Sequence, residues 1–87
     1  MPVYFLNIRD DQNDLILDTE GQDCADLDAA RTEAMEAARE MLADRILAGK
    51  PLDGTSVEIV DSAGDVVDRV SLVSVLVTSK RAATELH

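Results

Sequence analysis

Apolar and polar positions change period several times along the chain, and each change marks an element. Residues 3–9 set Val3, Phe5 and Asn7 on one side and Tyr4, Leu6 and Ile8 on the other, which suits a strand covered on both faces. Asp10-Asp11-Gln12-Asn13-Asp14 gathers short polar side chains that bond their own backbone, so it predicts a turn, and Leu15-Ile16-Leu17 predicts a short second strand. Glu20-Gly21-Gln22-Asp23 then breaks the pattern. From about Asp26 to Ala48, Leu27, Ala30, Ala34, Ala37, Ala38, Met41, Leu42 and Ile46 recur mostly at three- and four-residue steps, drawing one broad stripe on a helix.

Signals at both helix ends agree. Asp26, or Asp23 a turn earlier, can accept bonds from the free amides, Asp28 favours the positive end of the dipole, and Gly49, Lys50 and Pro51 stop the helix. Such a helix is roughly 33 Å long at 1.5 Å per residue, against about 20 Å for a six-residue strand. One end is therefore expected to overhang the sheet and offer a contact surface. The five alanines between Ala29 and Ala38 predict close helix packing, with Met35, Met41 and Leu42 as the bulkier filling.

Ser56 to Asp61 alternates, Ser62-Ala63-Gly64-Asp65 turns, and Val66 to Leu72 alternates again with Val66, Val70 and Leu72 on one face, a second hairpin that Val73 to Val77 could prolong. The expected fold is α+β: a single long helix packed on an antiparallel or mixed four-stranded sheet in ββαββ order. One domain is expected over 1–77, with 78–87 a frayed tail or a short helix over Lys80 to Leu86. Strand order stays open, since the link through the helix permits strands one and three to be parallel neighbours with a right-handed crossover.

Composition narrows the class. The 87 residues allow one core, and 46% hydrophobic against 30% charged residues is a globular balance. The longest apolar stretch, Val70 to Val77, is interrupted by Ser71 and Ser74 and falls far short of the ~20 residues of a membrane helix. Met1 to Arg9 lacks a basic leader and a small-residue cleavage site, so it reads as the first structural element and a cytoplasmic location is expected. Cys24 is the only cysteine, which excludes an internal disulfide and a Cys-pair metal site within one chain.

Charge is concentrated. Of a formal net charge of −10, eight acids (Asp10, Asp11, Asp14, Asp18, Glu20, Asp23, Asp26 and Asp28) lie between positions 10 and 28 with no Lys or Arg among them. Direct binding to nucleic acid or an anionic membrane is disfavoured, because both require a cationic face.

The candidate chemistry is thin. His87, the lone imidazole, stands at the last position with no shell of neighbours to orient it. Cys24 precedes a helix, where a thiol can be activated, but Asp23 and Asp26 flank it and push its pKa the other way. Asp10, Asp11, Asn13 and Asp14 could turn oxygens toward a hard cation, yet their spacing departs from an EF-hand loop and suits a solvated turn better. Arg9 and Arg31 could anchor an anion, although pairing with surrounding carboxylates, for Arg31 with Asp28, is the simpler role. Asp18, Glu20, Asp61 and Asp65 read as loop and turn residues, and Gly21, Gly49, Gly54 and Gly64 stand singly in different loops. No catalytic residue, cofactor-binding residue or metal ligand is assigned, and no cofactor is expected.

Pro2-Val3-Tyr4-Phe5 with Arg9-Asp10, then Asp18-Thr19-Glu20-Gly21, Asp26-Leu27-Asp28-Ala29-Ala30-Arg31-Thr32-Glu33-Ala34 and Val57-Glu58-Ile59-Val60-Asp61-Ser62-Ala63-Gly64 resemble a family of small bacterial proteins known as a domain of unknown function. The resemblance extends to about Leu72. It implies the same strand, strand, helix, strand, strand order and supplies no activity, ligand or catalytic residue. Its members usually carry a His where this chain has Asn7 and a Gly where it has Asp11; any chemistry of that His is lost here.

The leading functional expectation is a non-enzymatic interaction module that self-associates or docks on a protein partner through a sheet edge or the overhanging helix end. Two rivals stand beside it: an acidic mimic of a nucleic-acid backbone that occupies a basic protein, and a small carboxylate- or metal-dependent enzyme.

Overall fold

A computed structural model describes residues 1–51 and 54–75 of the chain. The expected tail at 78–87, with the Lys80 to Leu86 helix and His87, lies outside the described residues. Six elements follow in order: β1 (Val3–Arg9), β2 (Leu15–Ile16), β3 (Gln22–Asp23), α1 (Leu27–Leu47), β4 (Ser56–Val60) and β5 (Val66–Ser71). The fold is α+β, one long helix on an antiparallel sheet. Sheet order is β2-β1-β4-β5, with β3 pairing β1 off that path.

One strand is added to the expected sheet, and one direction left open is now fixed. β3 is a fifth strand, formed because Gln22 and Asp23 pair with Tyr4 and Val3 where the sequence signals only a break. The third expected strand, β4, runs antiparallel to β1, from Arg9 opposite Ser56 to Phe5 opposite Val60. The cause is where the helix begins and how long it is. β2 and β3 bring the chain back to the start of β1, where the Cys24 amide bonds the Pro2 carbonyl at 3.0 Å. The 21-residue helix, roughly 31 Å long, then carries the chain past the far end of β1, so β4 enters beside Arg9 and runs home.

The helix is capped at both ends by its own sequence. The Asp26 carboxylate accepts the Ala29 amide at 2.8 Å. At the other end Gly49, at φ +68°, lets its amide reach the Ile46 carbonyl and the Lys50 amide reach the Arg45 carbonyl, a Schellman closure. Ala30, Ala34, Ala38 and Leu42, four residues apart, form the buried ridge against β4 and β5, where Val57, Ile59, Val70 and Leu72 complete the core. The next position in that series, Ile46, is 60% exposed, so the ridge leaves the core after Leu42.

Both long hairpins turn on the same device. The Asp10 Oδ1 accepts the amides of Gln12 and Asp14, and the Asp61 Oδ1 accepts those of Ala63 and Asp65. The residue three beyond each aspartate, Asn13 or Gly64, takes a positive φ. After β5 the strand expected over Val73 to Val77 does not form at 73–75, and 76–77 lie outside the described residues. Residues 72–75 are helical, because the Ser71 Oγ accepts the Ser74 amide and the Ser74 hydroxyl donates to the Ser71 carbonyl. That turn places Leu72 and Val75 together in the core. Val66, expected beside Val70 and Leu72, is exposed beyond the register shift at Ile59/Val60.

Candidate functional site

The period of two along β1, β4 and β5 puts Tyr4, Leu6, Val57, Ile59 and Val70 toward the helix and Asn7, Arg9, Glu58 and Arg69 on the opposite face. Glu58 stands opposite Asn7 on one side and Arg69 on the other, yet its side chain is only 2% exposed. Its Oε2 accepts from Arg9 Nε and from an Arg69 terminal nitrogen, each at 2.8 Å. The Arg9 guanidinium beside Glu58 holds its carboxyl below the usual glutamate value of 4.5, against the effect of burial and with help from Arg69. Arg9 also donates to the carbonyl and side-chain oxygens of Asn13, tying the face to the first turn. Arg9 is thus occupied by protein partners, and so is Arg31, which pairs with Asp28 at 3.1 Å and Asp68 at 2.6 Å.

Asp18 closes part of one sheet edge. Its Oδ2 accepts the Leu6 amide at 3.1 Å, its Oδ1 accepts the amides of Glu20 and Gly21, and its own amide donates to the buried Asn7 Oδ1 at 2.9 Å. Partial burial opposes ionisation, but the three amides hold the Asp18 carboxyl below its ordinary value. Position 7 therefore has a structural duty that any side-chain acceptor of similar reach can fill. Gly21 is required beside it: at φ +73°, a Cβ would come within 2.8 Å of Val3 Cγ1 and 2.9 Å of Phe5 Cε1.

On the opposite edge the same residue type holds one outward amide. The Asp68 Oδ1 accepts the outward Arg69 amide at 2.8 Å, while its other oxygen takes the Arg31 bond. The Asp68 carboxyl is held down by that amide first and by Arg31 second. A recess of ≈ 240 Å³ lies here between α1 and β5, floored by Met35, Val70 and Val75 and rimmed by Arg31, Asp68 and Ser74. It is smaller than the roughly 300–1,000 Å³ of small-molecule sites.

Among the described residues, the outer side of β2 stays open. Leu15, Ile16 and Leu17 are all exposed, Ile16 by 65%, and β2 is the terminal strand of the sheet. Asp14 precedes this run and Asp18 follows it. At the helix end, Ile46 and Leu47 form a second, smaller apolar exposure.

The remaining candidates are placed as follows. Cys24 is buried, and burial, followed by the charges of Glu33, Asp23 and Asp26, pushes its thiol pKa up, so it is not poised as a thiolate near neutral pH. Asp10 and Asn13 direct side-chain oxygens to backbone amides and to Arg9 rather than to a common point. Among the described residues, no three His, Cys, Asp or Glu side chains gather as a metal-holding group. No helix among them is long and apolar enough to cross a membrane. Sequence reading missed Glu58 and Arg69, whose signal was a carboxylate inside an apolar strand and a basic residue in the strand after it.

Comparison with known proteins adds one match. A family model described as Domain of unknown function (DUF6894) matches residues 3–74. No curated protein and no solved structure matches the chain.

Proposed function

The chain belongs to this family of domains of unknown function, and we propose that it is a non-enzymatic protein-interaction module whose docking surface is the outer side of β2. One observation carries the reading: three consecutive apolar side chains, Leu15 and Ile16 on the terminal strand and Leu17 just after it, are exposed at an edge where, among the described residues, no aspartate side chain holds an outward amide. Exposed apolar residues scattered singly require no explanation, but a run on an unpaired edge is a template for another chain. An enzymatic reading lacks comparable support. The buried carboxylate Glu58 is neutralised by two arginines, and the recess beside α1 is small with its ions paired.

The acidic-mimic reading is weaker for a geometric reason. Asp10, Asp18 and Asp26 turn their carboxylates to amides of their own backbone, so part of the concentrated charge serves turns and caps. A pull-down from host lysate separates the readings, using the immobilised chain, an Ile16→Asp variant and an unrelated protein of matched charge. The expected result is a partner retained by the parent chain at high salt, crosslinked at residues 15–17, and lost from the variant. Retention by parent and variant alike, with release as salt rises, would support the mimic instead.

A further inference from the structure

Building on the docking surface just described, we propose that the occupant of the β2 edge is an extended, cationic segment of another protein, which adds to the sheet as a strand, and not a second copy of this chain. Backbone phase comes first. The Asp10 amide bonds the Asp14 carbonyl at 3.0 Å, and Ile8 pairs with Ile16. Bonded pairs alternate along an antiparallel ladder, so Ile16 turns its amide and carbonyl inward to Ile8 while Leu15 and Leu17 turn theirs to the outer side. An incoming strand meets two outward residues, with Leu15 and Leu17 on one face and Ile16 on the other.

The rival edge is unavailable for the same addition. On β5 the Arg69 amide, which points outward, is already held by Asp68, itself fixed by Arg31 at 2.6 Å, and the chain coils at residues 72–75. β3, the other edge strand, is only Gln22–Asp23 and carries no apolar side chain, so among the described residues strand addition is directed to β2.

Charge then selects the occupant. In antiparallel self-pairing centred on Ile16, Leu15 faces Leu17 of the second copy and Asp14 faces Asp18; in parallel pairing each acid lies beside its own counterpart. Like charges opposite one another destabilise a ladder, and Asp18 is held ionised by three amides. Asp10, Asp11 and Glu20 extend the negative border on either side, in a chain of net charge −10. A segment with apolar residues at its centre and Lys or Arg on its flanks matches both the exposed run and its border.

The test titrates three short synthetic peptides against the full chain: a Val-Ile-Val centre flanked by lysines, the same centre flanked by glutamates, and the lysine peptide with backbone N-methylation at the centre. The lysine peptide is expected to bind at least about tenfold more tightly than the glutamate peptide, N-methylation to abolish that binding, and Asp14→Lys to narrow the preference. The chain alone is expected to sediment as a monomer. Equal binding of the N-methylated peptide overturns strand addition, equal binding of the glutamate peptide overturns charge selection, and a dimer lost on Ile16→Asp overturns the choice of occupant. If no peptide binds while the lysate partner still crosslinks at residues 15–17, the strand-addition proposal fails and the docking surface itself stands.

Discussion

Glu58 is the residue at which pattern reading and physics part. Alternation along Ser56 to Asp61 places it on the polar side of its strand, where solvent is the default, and the sequence alone does not bring Arg9 and Arg69 across to it. Register does that, by setting Glu58 opposite Arg69 and one step from Arg9. Because both arginines remain partly exposed, the cluster is a covered surface network rather than a deep ion pair. Glu58→Gln is therefore expected to lower stability by about 1–2 kcal/mol at neutral pH. The sign with pH follows from the depressed carboxyl. Its contribution is complete above the usual value near 4.5 and is lost as pH falls through the lower folded value. Urea unfolding from pH 7 to pH 2 is expected to show the gap between parent and variant closing on the acid side. A gap that is absent at pH 7, or that widens in acid, would contradict this assignment. Asp10 and Asp61 were legible in part: the Asp-x-x-Asn-Asp and Asp-x-x-Gly-Asp runs announce turns, and the shared bonding device became visible only with the backbone in place.

Elements were more readable where local chemistry sets them. The helix begins at its Asp26 cap and ends at Gly49, both announced by residue type. The alanine series also told its own consequence: Ala30, Ala34 and Ala38 are fully buried, leaving the space between helix and sheet to small side chains. Ala34→Leu is expected to cost about 1–3 kcal/mol through overpacking, while the same change at exposed Ala43 is expected to be nearly silent; equal effects at the two positions in thermal unfolding would show that the ridge is not tightly packed. The missed elements had non-local causes. β3 exists only because β1 offers Val3 and Tyr4 as partners, and the helical turn at 72–75 depends on two serines whose bonds outweigh the strand preference of Val73 and Val75.

At the scale of the molecule, the edges of the sheet decide what it can pair with. Asp18 holds the Leu6 amide at the β1 edge and Asp68 holds the Arg69 amide at the β5 edge, so one carboxylate of the acidic segment and one outside it limit unwanted pairing, a use consistent with how sheets manage exposed strands. Composition announced the excess of acid, but it could not distribute these carboxylates among turns, caps and edges, and so the exposed apolar edge at β2 was not visible in it. The measurement that tests the central claim most directly is amide hydrogen exchange of the free chain, followed residue by residue with and without the lysine-flanked peptide. The account predicts fast exchange at Leu15 and Leu17 with slower exchange at Ile16, and protection of Leu15 and Leu17 when the peptide binds. Unchanged exchange at both residues in a saturated complex would contradict it.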